Sequence, residues 1–269
     1  MTADRSIYRS DRMAAAYAFS RPPVHPQVAA RVARHLAGKW PVKVALDIGC
    51  GAGLSTAALA PLASSVVGLE PEATMLTHCA KVAPGAAFVI GRAEALPFPD
   101  GSFDLVSTAG ALNYADLAPS LAEVARVMAP GGLFVPYDFS AGRRLRDDDR
   151  LNAWYDDFQV RYPSPPGYPL DLRALGYAGA GLDLAGYEEL EVVIPMALGE
   201  YVDYVLGESG VEYALREGRR EDDIRSHCEA SLRSMFSGVA REVVFEAQIA
   251  YVRSRSGRAS DAMSKSGAV

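Results

Sequence analysis

The sequence predicts an α/β protein built on a mostly parallel sheet. Three observations lead there. Short apolar runs alternate with helical stretches between residues 43 and 137. A glycine-dense turn, Gly49-Cys50-Gly51-Ala52-Gly53, closes the first run. Acids stand at the ends of the first two runs, Asp47 and Glu70. Strands alternating with helices at this spacing make βαβ units.

Each element has its own signal. Val24, Val28, Val32 and Leu36 recur every four residues after Pro23, which predicts a helix. KVALDI, 43–48, is a buried strand, and 54–63 is the helix that follows it. SVVGL, 65–69, is a second strand, ended by Glu70-Pro71; 72–82 is helical; 86–90 and 103–108 are the third and fourth strands. A helix over 117–129 stops at Pro130-Gly131-Gly132, and 132–137 is a fifth strand. Beyond 141 the alternation breaks. Residues 196–236 read as mainly helical, while 188–194 and 241–252 read as an antiparallel pair closing the sheet. One domain over 1–253 is expected: an N-terminal helical lid (1–40), a core (41–140), a helical and loop cap building the acceptor region (141–236) and a final strand (237–253). The Ser-, Gly- and Arg-rich stretch 254–269 is expected to be a disordered tail.

Composition narrows the class. The 269 residues are 49% hydrophobic, enough for one substantial core. A net charge of −6 argues against a nucleic-acid partner and for a small-molecule one, in a monomer or homodimer. Cys50, Cys79 and Cys228 are odd in number and widely spaced, as free thiols of a reducing cytosol are. The first twenty residues carry no signal-peptide h-region and no stretch is long enough to span a bilayer, so a cytoplasmic protein without membrane contact is expected. His25, His35, His78 and His227 are scattered, and no metal site is expected.

The loop Leu46-Asp47-Ile48-Gly49-Cys50-Gly51-Ala52-Gly53 lies between a strand and a helix, the place where a parallel sheet binds nucleotides or nucleosides. A dinucleotide site would read GxGxxG; here Leu54 stands where the third glycine belongs. Asp47 places a carboxylate beside the loop, which opposes a phosphate and favours a cationic, phosphate-free ligand such as S-adenosylmethionine. Glu70 lies 19 residues after Gly51, the spacing at which an acid binds a ribose diol. Both that cofactor and NAD carry such a diol.

After the third strand comes GRAEALPFPDGSFDLV, residues 91–106. With LDIGCGAG, GLEPE and EVARVMAPGGLF, in this order and spacing, it resembles the class I methyltransferase family over about a third of the chain. The resemblance implies a Rossmann-like, seven-stranded, mostly parallel sheet with one antiparallel strand and helices on both faces. It also implies S-adenosylmethionine as cofactor, with its amino-acid end near Asp47, Gly49 and Gly51, its ribose on Glu70 and its adenine near Ala93, Glu94 and Leu96. Cys50, Gly53, Pro71, Met75 and Ala109 complete the expected cofactor wall. Arg92 stands where family members often carry an Asp for the adenine amine, so backbone and Glu94 are expected to take that contact. Tyr17-Ala-Phe-Ser-Arg21-Pro22-Pro23 resembles an entry segment of family members that act on small metabolites. There Tyr17 and Arg21 would reach the methionine carboxylate; a plain helix with Tyr17 on its packing face reads equally well.

Many relatives place a His where Asn113 stands, and Asn is no base. Asp138, after the fifth strand, is the acid/base candidate. Trp154, Tyr155, Phe158, Tyr162, Tyr168, Tyr177, Tyr187, Tyr201, Tyr204 and Tyr213 suit an apolar acceptor pocket or, equally, the packing of a cap. Asp147-Asp148-Asp149 reads as a solvated turn. The expected function is methyl transfer to an O, N or C atom of a small metabolite. A nicotinamide oxidoreductase and a non-catalytic cofactor-binding protein are the competing readings.

Overall fold

The computed structural model describes residues 6–36, 40–164, 170–236, 238 and 240–255. In chain order they form α1 (Asp11–Phe19), α2 (His25–His35), β1 (Val42–Ile48), α3 (Leu54–Leu59), β2 (Ala63–Glu70), α4 (Cys79–Val82), β3 (Ala87–Ile90), β4 (Phe103–Ala109) and α5 (Leu117–Val127). These are followed by β5 (Met128–Phe139), β6 (Arg144–Leu145), α6 (Arg150–Arg161), β7 (Leu182–Met196), α7 (Leu198–Leu206), α8 (Ser209–Arg216), α9 (Glu221–Leu232) and β8 (Arg241–Ser254). Short 3₁₀ turns cover Ser6–Arg9, Met75–His78, Leu112–Tyr114 and Tyr177–Ala180.

The sheet runs β3-β2-β1-β4-β5-β8, with β7 on the far side of β8. Strands β1 to β5 are parallel; β8 is antiparallel to both β5 and β7. The two-residue β6 pairs with β8 beyond the end of β5 and prolongs that edge. The sheet is thus Rossmann-like and mixed, and the expected closing pair is β7 with β8. Strand order reverses between β1 and β4, whose Leu46 and Val106 are register partners. At such a reversal the loops at the carboxyl ends diverge and open a crevice.

Alternation along each strand divides the core. Ala45, Leu105, Leu133 and Val135 face a layer built by α2, α3, α6, α7 and α9. Leu46, Val106 and Phe134 face the other way, against Leu121, Val124 and Val127 of α5 and against Leu172, Leu175 and Tyr177. The valine stripe of α2 is buried as its spacing predicts. The Asp104 carboxylate accepts from the Lys43 and Val44 backbone amides and ties β4 to the start of β1.

Several boundaries differ from expectation for local reasons. α3 ends at Leu59 because Pro61 has no amide hydrogen to continue the helical ladder, although Ala60 before it keeps helical backbone. Residues 72–82 give only the 3₁₀ turn and α4. β5 starts at Met128, so Pro130-Gly131-Gly132 lies within the strand, at a bulge opposite Phe103 to Leu105 that tolerates the missing amide hydrogen. Among the described residues no helix is long and apolar enough to cross a membrane. The expected tail lies outside the described residues beyond Arg255.

Candidate functional site

The loop after β1 turns through left-handed backbone at Gly49 (φ 70°), Gly51 (φ 53°) and Gly53 (φ 94°). At Gly49 a side chain is excluded twice over, since a Cβ would lie 2.3 Å from that of Ala111. Asp47 is fully buried, and its Oδ2 accepts from the hydroxyls of Ser55 (2.6 Å) and Thr56 (2.7 Å). It therefore braces the loop against the first turn of α3 rather than lining the cleft. Its Oδ1 has no partner. Burial pushes its carboxyl up to about 6; the two hydroxyls oppose the shift and nearby Glu70 adds to it. Glu70, at the end of β2, accepts from Gly51 N through Oε2 (3.0 Å) and from Glu72 N through Oε1 (3.1 Å).

A cleft of about 290 Å³ opens over this loop at the strand-order reversal. Of the residues expected at a cofactor, Gly49, Cys50 and Gly51 line its floor, and Glu70, Pro71 and Met75 one side. Ala93, Glu94 and Ala109 line it further out. Gly53 and Leu96 do not line it: Gly53 packs against Cys79 and leads into α3, and Leu96 is buried in the core beneath α5. The PFPDG loop is held by Arg126 of α5, which donates to the carbonyls of Leu96 (2.9 Å) and Phe98 (2.8 Å) and to Asp100 (2.8 Å). Leu96 N in turn donates to Glu123 (2.7 Å). This brace sets Ala93 and Glu94 at the cleft. Arg92 lies there too, paired with Glu94 at 3.3 Å.

The N-terminal segment covers the cleft. Tyr8 and Tyr17 line it and pack edge to face, and the Tyr8 hydroxyl meets that of Tyr114 at 2.9 Å. Ala14 and Ala18 of α1 rest on Ala52 and Met75. Two ion pairs latch this cover to the α7–α8 region: Arg12 with Glu212 at 2.9 Å and Arg21 with Glu208 at 2.8 Å. Arg21 also donates to the Gly207 carbonyl and lies 4.2 Å from the Tyr17 ring centroid. Burial opposes its charge, but Tyr17 and Glu208 outweigh burial and hold it protonated. Its Nε is buried without a partner.

The opposite wall comes from β4, β5 and the start of α2. Thr108, Gly110, Ala111 and Tyr114 line it, and the Thr108 hydroxyl is buried without a partner. Asp138 lines it as well; its Oδ1 accepts from Phe139 N (2.8 Å), and the Asn113 amide bonds the same carboxylate. Burial raises its pKa against these bonds. His25 completes the wall, with Nδ1 2.7 Å from the Tyr137 hydroxyl. Burial, with Arg21 nearby, lowers its pKa to about 4, so the ring is neutral at pH 7. Sequence reasoning passed over His25, Tyr8 and Phe139, because nothing local marks them.

The described aromatics of 141–236 do not line this cleft. Tyr155, Phe158, Tyr162, Tyr201 and Tyr204 are buried in the main core, where the sheet face needs covering, and Trp154 stacks on Phe158. Tyr177 packs with α5, while Tyr187 and Tyr213 also stand away from the cleft. Tyr168 lies outside the described residues. Among the described residues, the cleft wall opposite the cover comes from α2, β4 and β5. In the acidic turn, Asp147 pairs with Arg241 and Asp148 with Arg150.

Comparison with known proteins agrees with the cleft. Residues 46–135 match the family model described as a methyltransferase domain. An uncharacterised methyltransferase of Synechocystis sp. is 41% identical over 36% of this chain and 48% of its own length. The demethylmenaquinone methyltransferase of Beutenbergia cavernae is 38% identical over 38% of this chain and 43% of its own. The phthiotriol/phenolphthiotriol dimycocerosates methyltransferase of Mycobacterium leprae is 36% identical over 46% and 44%. The matched stretch thus spans less than half of each of these relatives. Among solved structures, a proposed type II methyltransferase of Anaeromyxobacter dehalogenans superposes with a TM-score of 0.59 at 22% identity, covering 84% of this chain and 95% of that one. Residues 46–135 are thus similar in sequence to a methyltransferase domain, and the chain shares its fold with a solved protein of that description.

Proposed function

We propose that the chain transfers a methyl group from S-adenosylmethionine to an O, N or C atom of a small organic molecule. One observation carries this reading: the Gly51 amide is already occupied by the carboxylate of Glu70. In a dinucleotide site such amides point at pyrophosphate. Here the loop presents an acid, with a second one, Asp47, buried behind it. A phosphate-free, cationic ligand suits that field and a nicotinamide dinucleotide does not. The unpartnered atoms Arg21 Nε and Thr108 Oγ1 and the cleft volume suit a ligand carrying both donors and acceptors.

When bound, S-adenosylmethionine supplies a methyl group made electrophilic by its sulfonium. Glu70, Gly49, Gly51, Ala93 and Glu94 would hold it, with Pro71, Met75 and Ala109 as apolar walls and Tyr17 above. The chain's task is to align the acceptor and exclude water. Tyr8 and Tyr17 do the excluding, on a segment fixed by the Arg12 and Arg21 ion pairs. Asp138 stands at the acceptor wall, where a proton can be taken or held. Titration calorimetry with S-adenosylmethionine and S-adenosylhomocysteine tests the reading: binding of both, and none of NADH, is expected. Failure to bind either would discard it.

A further inference from the structure

We propose that His25 takes up the proton of the acceptor, and that the acceptor is an aromatic hydroxyl compound, a phenol or a comparable enol, held between His25 and Arg21. The inference rests on the methyl-transfer reading above and narrows it to one class of acceptor.

His25 opens α2, where the chain passes from the cover to the sheet. Its ring is half-buried at the cleft wall, edge to face with Phe139 (centroids 5.3 Å apart) and Tyr137 (5.8 Å). The Tyr137 hydroxyl fixes Nδ1. In the tautomer whose Nδ1–H donates to Tyr137, Nε2 carries the lone pair and can accept a proton. The charged and titratable groups around it are Arg21 on the cover side and Tyr137 and Asp138 on β5. Arg21 and burial keep the resting ring neutral.

Arg21 decides the acceptor's chemistry. Two of its nitrogens serve Glu208 and Gly207, and the third, Nε, is buried at the cleft wall with nothing to donate to. An oxygen that becomes anionic there gains a cation and a donor. The same negative charge offsets the repulsion between Arg21 and a protonated His25. An ammonium acceptor would instead bring a positive charge beside Arg21. A carboxylate acceptor would have no proton to give. Asp138 has one oxygen taken by Phe139 N, and its carboxylate is further held by Asn113, whereas Nε2 of His25 has no partner among the described residues. The rings of Tyr17, Tyr114 and Phe139 suit a flat aromatic body. In the step itself the acceptor O–H bond breaks and an N–H bond forms at Nε2. Neutral phenol and neutral imidazole become phenolate and imidazolium, with no change in total charge.

The test uses 4-nitrophenol, whose phenolate absorbs in the visible, added to the full chain saturated with S-adenosylhomocysteine. The pH is set below the probe's own ionisation. Binding to the wild type is expected to bring up the phenolate band. His25→Asn, which keeps a polar atom facing Tyr137 but has no proton acceptor, is expected to lose the band while its affinity for S-adenosylhomocysteine stays within twofold. A band that persists in H25N overturns the proposal, as does a wild type that binds S-adenosylhomocysteine but not the probe. A wild type that binds no S-adenosylhomocysteine defeats the methyl-transfer reading itself. If H25N fails to fold, Tyr137→Phe decides: it leaves the imidazole but releases Nδ1, and an unchanged band there overturns the proposal.

Discussion

Asp47→Asn puts a magnitude on the acid beneath the glycine loop. The carboxyl is fully buried and titrates at about 6, against an ordinary value of 3.8. The difference is about two units at ~1.36 kcal/mol each, so ionising Asp47 costs the ligand-free fold roughly 3 kcal/mol. The folded protein holds this proton more tightly than the unfolded chain does. The contribution is therefore complete below pH 3.8 and is lost as pH rises through about 6. Asn has no proton to lose and keeps an oxygen for the Ser55 and Thr56 hydroxyls. Between pH 5 and pH 8 the stability gap should move in the variant's favour by about 1.4 kcal/mol, the value of the one unit between 5 and 6. The rest of the change falls below pH 5. The amide NH₂ placed at the unpartnered Oδ1 position costs about 1–3 kcal/mol at every pH, which sets the baseline and not the slope. Urea unfolding of both proteins across this range, at constant ionic strength and without ligand, measures the gap. A gap that is flat with pH would refute the argument. The same carboxylate should couple to a cationic ligand, so wild-type affinity for S-adenosylmethionine should weaken as pH falls below about 6 and lose that dependence in the Asn variant.

Glu70→Ala removes a charged acceptor from Gly51 N and from the ribose it is proposed to hold. At about 1.5–3 kcal/mol per hydrogen bond to a charged group, S-adenosylhomocysteine should bind roughly ten- to a hundredfold more weakly by calorimetry; unchanged affinity removes the ribose assignment. Gly49→Ala forces a Cβ within 2.3 Å of Ala111 at φ 70° and should cost about 1–3 kcal/mol in thermal unfolding, so an unshifted Tm contradicts the loop geometry. Arg12→Met leaves the buried Glu212 with Arg216 as its ion-pair partner among the described residues and should cost about 1–3 kcal/mol. Adding Glu212→Leu should recover much of that loss in denaturant unfolding; equal costs for the single and double variants would show that the pair does not hold the cover.

What could be read in the sequence was what depends on neighbours in the chain. The strand, loop and helix order around Gly49–Gly53 follows from residues within a few positions, and Glu70 reaches the loop because β2 lies beside β1. The carboxylate of Asp47 was legible as a feature but not as a structural job, since Ser55 and Thr56 meet it only once α3 has formed. His25 and Tyr137 are 112 residues apart, and Arg21 and Glu208 are 187 apart. Neither pair has periodicity or spacing to announce it. The tyrosines of 141–236 are the converse case. Their composition fitted a pocket and the packing of a cap equally, and those buried in the main core pack because the β7–β8 extension widens the sheet face, which the nearest rings cover.

These separations bear on where specificity resides. The family match covers 46–135 and takes in Glu70, Ala93, Glu94 and the glycine loop, which are the proposed donor side of the cleft. Tyr8, Tyr17, Arg21 and His25 precede it; Tyr137, Asp138, Phe139 and Glu208 follow it. Of the groups proposed to meet the acceptor, Tyr114 lies inside the shared stretch, while Tyr17, Arg21, His25 and Phe139 lie on its two flanks. They reach one wall because β5 continues past residue 135 while α2 packs across the sheet, and because Arg21 ties the cover to the turn between α7 and α8. Relatives matched mainly through the shared stretch can hold the same donor and still act on different acceptors. Exchanging 46–135 with a relative should leave acceptor choice with this chain, whereas exchanging the flanks should move it; a swap of 46–135 that carried acceptor choice with it would contradict this division.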